Sequence, residues 1–116
     1  VKARREIELA IGTGAEDGTE FEEALDLLGF RRVATVRKSR KTFRLSAAAE
    51  GEAILIAVDS VDELGDFAEL ECLAENESAV DAARCRIEEL AGSLGLDRPE
   101  PRSYLTLLLD RRAGKD

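Results

Sequence analysis

Apolar and charged residues alternate from Arg4 to Ile11, with Arg4, Glu6 and Glu8 on one side and Ile7, Leu9 and Ile11 on the other. A period of two predicts a strand with one charged and one apolar face. The glycines of GTGAEDG (12–18) mark a loop. Thr19 then opens a helix. Glu22, three residues on, completes a capping box, and Phe21, Leu25 and Leu28 follow at helical spacing until Gly29 stops it. Phe30 to Arg37 returns to strand character through Val33 and Val36.

VRKSRKTFRL (36–45) is too basic for an ordinary core strand, yet its valine, threonine and phenylalanine favour the extended state. In that state Lys38, Arg40, Thr42 and Arg44 share one side, and Arg37, Ser39, Lys41 and Phe43 the other. SAAAEGE (46–52) reads as a loop or hairpin tip. AILIAVD (53–59) is an apolar strand, SVDELG (60–65) a turn, and DFAELECLA (66–74) a further strand. On that last strand Phe67, Glu69, Glu71 and Leu73 face one way, with Ala68, Leu70 and Cys72 opposite. Ser78 and Asp81 signal a helix start, with Val80, Ala83, Ile87, Leu90 and Leu94 as its stripe and Gly95 as its stop. DRPEP (97–101) is a rigid linker, and Ser103 caps a short helix over YLTLLL. Strand, helix, several hairpin-connected strands, helix and short helix make an α+β fold of mainly antiparallel strands with helices packed outside.

Length and charge narrow the function. The 116 residues fit one domain, and 44% hydrophobic content with clear periodicity argues for a folded chain. A net charge of -8 disfavours non-specific binding to nucleic acid or anionic membranes. No apolar run is long enough for a transmembrane helix, and VKARREIEL lacks the apolar stretch of a signal peptide. There is no histidine, which removes histidine general-base chemistry and most zinc sites. Cys72 and Cys85 have no CxxC spacing and read as reduced thiols, in keeping with a cytoplasmic protein. Any bound metal would be held by carboxylates, which points to Mg2+ or Mn2+.

Strands charged on one face with both signs admit two readings. One is a solvated sheet face laced by cross-strand ion pairs, each contributing up to about 1 kcal/mol. The other is a closed or nearly closed sheet whose charged faces share a cavity. There, Lys and Arg grip phosphate oxygens while carboxylates hold a divalent cation bridging to them.

The stretches KARREIEL (2–9), ALDLLGFRRVATVRKSRKTFRL (24–45), ILIAVDSVDELGDFAELE (54–71) and RSYLTLLL (102–109) favour the second reading. In order, they resemble the CYTH domain of class IV adenylate cyclases and thiamine triphosphatases, the triphosphate tunnel metalloenzymes. The resemblance implies a β-tunnel binding ATP or another triphosphate with Mg2+ or Mn2+. It implies Arg4, Lys38, Arg40 and Arg44 as substrate-binding residues, with Lys38, Arg40 and Asp59 in the catalytic centre. Glu69 and Glu71 become metal ligands, joined by Glu6 and Glu8 on the lumenal side of their strand.

The chain departs from the family pattern as well. The hallmark E-x-E-x-K is matched only superficially at Glu6 and Glu8, because residue 10 is alanine. The arginine-rich strand and the Y-K-G segment before it are missing. Residues 1–116 therefore read as a single, partial CYTH-like domain lacking the family's N-terminal strands. Its open edges predict a homodimer or pairing with a separate N-terminal half, and weak or no turnover alone. The resemblance favours ATP cyclisation. Hydrolysis of inorganic, thiamine or nucleoside triphosphate is the alternative, as is non-catalytic polyphosphate binding.

Overall fold

The computed structural model describes residues 1–46 and 53–115. These form two compact units, Arg4–Ala34 on the one hand and the described part of Val1–Ala3 and Thr35–Asp116 on the other.

The first unit is built on helix α1, Ala15–Leu27. It starts four residues before the expected Thr19. The reason is Asp17, whose carboxylate accepts the Gly14 amide at 2.8 Å, so an acid at the third helical position reaches back to the cap. Thr19 consequently lies inside the helix. The C-terminus follows expectation: Gly29 adopts φ 95, and the amides of Gly29 and Phe30 return to the carbonyls of Asp26 and Leu25. Arg32 pairs with Glu22. The strands expected over Arg4–Ile11 and Phe30–Arg37 do not form, and both segments are irregular chain. Alternation dictates which way side chains face, but a strand exists only where a neighbour supplies a hydrogen-bond ladder. Among the described residues, Arg4–Ile11 is in no ladder and Phe30–Arg37 meets one only at its last residue, Arg37.

The second unit contains strands β1 (Lys38–Leu45), β2 (Ile54–Val61) and β3 (Gly65–Cys72), antiparallel in the order β1-β2-β3. Among the described residues the sheet is open and does not close into the expected tunnel. The ladder reaches one residue before β1, where Arg37 accepts the Asp62 amide at 2.9 Å. The predicted hairpin tip at 46–52 lies, from Ala47 on, outside the described residues. Central β2 carries most of the burial, whereas edge strand β1 is exposed throughout. Among the described residues, the buried apolar ones are Ile54, Ala57 and Val61 of β2 and Leu108. So thin a core leaves individual polar contacts a large share of the stability.

Helix α2 (Val80–Ser93) follows a 3-10 turn capped by Asn76, whose side chain accepts the Ala79 amide. That cap lies earlier than the expected start at Ser78. The helix packs against β3, where Arg86 Nη1 lies 3.6 Å from Cys72 Sγ. Its stripe residues Val80, Ala83, Ile87 and Leu90 are half-buried, while Leu94 at the C-cap is half exposed. Helix α3 (Tyr104–Arg112) begins at the expected Ser103, whose hydroxyl accepts the Thr106 amide at 3.1 Å. Ser103→Ala is expected to cost about 1 kcal/mol in urea denaturation. An unchanged midpoint would show that the cap contributes nothing. No helix among the described residues is long and apolar enough to cross a membrane.

Candidate functional site

Register brings the charged residues together. Arg40 lies opposite Asp59, which lies opposite Phe67. Thr42, Ala57 and Glu69 form the next row, and Arg44, Leu55 and Glu71 the one after. Directly paired residues share a face. Lys38, Arg40, Arg44, Asp59, Glu69 and Glu71 therefore occupy one side of the sheet, as alternation predicts for β1 and β3. Arg44 and Glu71 stand four residues along their strands from Arg40 and Phe67, about 13 Å away at ~3.3 Å per residue.

Asp59 is the hub. It is fully buried, with none of its surface exposed. Arg40 grips it with two parallel bonds, Nε to Oδ1 and Nη2 to Oδ2, each 2.6 Å. This fork is the strongest common form of carboxylate recognition. Arg40 Nη2 also donates to Glu69 Oε2 at 2.8 Å. Tyr104, from the first turn of α3, donates its hydroxyl to Asp59 Oδ2 at 2.7 Å. The Tyr104 ring packs against Phe67 with centroids 5.1 Å apart. Lys38 Nζ stands 3.6 Å from Asp59 Oδ2 and 5.2 Å from the centre of the Tyr104 ring.

The electrostatics follow from these contacts. The hydrogen bonds from Arg40, supported by Tyr104 and by the charges of Arg40 and Lys38, hold the Asp59 carboxyl well below the usual range, against the opposing effect of burial. Arg40 is driven up, chiefly by its bond to Asp59, so its charge is permanent. Burial, then the bond to Asp59, pushes the Tyr104 phenol up, so it remains a donor at neutral pH. Lys38 and Arg40 are about a third exposed, at 34% and 35% of the side chain, and thus present cationic surface to solvent from a fixed base.

Arg4, Glu6 and Glu8 belong to the other unit, where Arg4 Nε pairs with Glu6 Oε1 at 3.3 Å and all three are exposed. Among the described residues no three acidic or thiol side chains converge to cage a metal. Glu69 and Glu71 nevertheless sit two apart on one strand face, both exposed. Two carboxylates suit an ion that keeps several waters and takes its other oxygens from phosphate, as magnesium does.

Tyr104 is the member of the cluster that local pattern does not reveal. Its signals were compositional: it is the chain's single tyrosine and it directly follows a cap. An aromatic with a polar tip is suited to covering a buried charge.

These features define a class: a small α+β protein whose antiparallel sheet bears one mixed-charge face organised on a buried aspartate. The chain belongs to the CYTH family, whose CYTH domain model matches residues 1–104. It is similar to the adenylate cyclase CyaB of Aeromonas hydrophila, with 30% identity over 93 residues, covering 78% of this chain and 46% of that protein. The chain thus spans about half the length of the curated relative it matches. No solved structure matches it.

Proposed function

We propose that the charged sheet face binds the phosphate chain of ATP or another triphosphate, as part of a class IV adenylate cyclase-like protein. The observation that supports this most is the pairing of Lys38 and Arg40 over the buried Asp59 carboxylate. Two cations two residues apart and partly exposed, with Arg40 held by Asp59 and Lys38 beside it, are preorganised for an anion bearing several oxygens. In this reading Lys38 and Arg40 contact phosphate, and Arg44 extends the basic track along β1. Asp59, being fully buried, acts through them: it orients the Arg40 guanidinium. Arg40 Nε and Nη2 are committed to carboxylates, which leaves Nη1 as the guanidinium nitrogen with no carboxylate bond among the described residues.

Glu69 and Glu71 are the residues that would hold Mg2+ or Mn2+, which would neutralise phosphate charge when bound. Their carboxylates also balance a face whose three cations, Lys38, Arg40 and Arg44, outnumber the single charge of Asp59. In the cyclase reaction the ribose 3′-hydroxyl attacks the α-phosphorus, loses its proton, and pyrophosphate leaves. The contribution of this chain's residues is to hold the phosphate chain in line for that attack.

Similarity to the Aeromonas adenylate cyclase supports cyclisation over hydrolysis. Incubation of the chain with ATP and magnesium or manganese, followed by product separation, tests the choice. Cyclic AMP with pyrophosphate is the expected result, in small yield. Orthophosphate would make the chain triphosphatase-like, and binding without product would make it a phosphate-binding module.

A further inference from the structure

We infer that Tyr104 is a positioning residue that keeps Lys38 available to phosphate by occupying the Asp59 oxygen that Lys38 would otherwise take. This rests on the proposed function for its biological meaning, though not for its geometry. Asp59 Oδ2 receives Arg40 Nη2 at 2.6 Å and the Tyr104 hydroxyl at 2.7 Å. A carboxylate oxygen offers about two lone-pair sites, so these two donors fill it. Lys38 Nζ, at 3.6 Å, is left beyond hydrogen-bond distance of that oxygen.

The same side chain supplies an alternative resting place. The Lys38 ammonium lies 5.2 Å from the Tyr104 ring centre, where the negative face of the ring attracts a cation without directional bonding. A cation held this way keeps its three donors free for a ligand, whereas one locked to a carboxylate must first break that bond. Tyr104 is itself fixed from three directions. Its ring packs on Phe67, its helix starts at the Ser103 cap, and Leu108, one turn on, is 2% exposed. The tyrosine thus sorts two of the four basic residues of β1: Arg40 is hydrogen-bonded to the carboxylate, and Lys38 is left at ion-pair distance without a hydrogen bond to it.

Tyr104→Phe tests this, because it keeps the ring and removes only the hydroxyl. The chain has four lysines, so the Lys38 side-chain NMR signal can be assigned by its loss in Lys38→Ala. In Tyr104→Phe the Lys38 ammonium is expected to close on Asp59. Its signal shifts and its protons exchange several-fold more slowly with water. Affinity for inorganic triphosphate, measured beside the parent, is expected to fall several-fold.

An unchanged Lys38 signal overturns the inference, whether or not triphosphate binds. A shifted signal with unaltered affinity, in a parent that binds, overturns the positioning role. A parent that binds no triphosphate defeats the proposed function instead, and the Lys38 signal still decides the contact. If Tyr104→Phe does not fold, the parent alone decides. The hydroxyl proton of the single tyrosine is expected as a slowly exchanging, hydrogen-bonded resonance, and its absence overturns the inference.

Discussion

Arg40→Ala is expected to destabilise the protein by about 3 kcal/mol at neutral pH, the low end of what removing one partner from a buried ion pair costs. The substitution leaves the Asp59 carboxylate fully buried with a single close donor, the Tyr104 hydroxyl. The low end applies because Arg40 is itself 35% exposed, which weakens its pairing by solvent screening, and because Lys38 stands 3.6 Å away and can move in. A phosphate-binding Arg40 without a buried partner could be removed with little loss of stability. The buried partner reverses it.

The pH dependence follows from the sign of the Asp59 shift. Its folded value is lowered, so its contribution is present above the unfolded value near 3.9 and is lost as pH falls through the lowered folded value. In Arg40→Ala the main stabiliser of the charged form is gone, and protonating Asp59 relieves the variant. The gap between parent and variant should therefore be widest at neutral pH and shrink in acid. Denaturant unfolding at pH 7 and below pH 4 measures both arms. A neutral-pH loss no larger than that of Lys38→Ala would show that the pair does not anchor the sheet.

Lys38→Ala is expected to behave in the opposite way. It removes a partly exposed cation that has no hydrogen bond to Asp59, so stability should stay within about 0.5 kcal/mol. Loss of a charge-assisted contact worth about 1.5–3 kcal/mol should weaken triphosphate binding by at least about tenfold. Calorimetry with inorganic triphosphate, beside thermal unfolding, separates the two effects. Unfolding without a change in affinity would remove Lys38 from the binding face.

The contrast between neighbouring residues shows what was legible in the chain. Alternation placed Lys38, Arg40 and Arg44 on one side and Glu69 and Glu71 on the same side of their own strand, and the register joined these sets. Ser103 and Gly29 were legible because caps are local chemistry. Thr19 misled because a second acid, Asp17, competed for the cap and won. Arg4–Ile11 and Phe30–Arg37 misled because alternation describes a strand's faces but cannot supply its neighbour. The roles of Asp59 and Tyr104 were hidden for one shared reason. They depend on α3 covering the charged face 45 residues away in sequence, a tertiary contact with no local period.

The central claim is that the face built by Lys38 and Arg40 over Asp59 binds a chain of phosphates. Titrating inorganic triphosphate into the chain in a calorimeter, with and without magnesium or manganese, tests it most directly. The account predicts binding that the metal strengthens and that Lys38→Ala weakens by at least about tenfold. No binding in either condition, or equal binding by parent and variant, would contradict it.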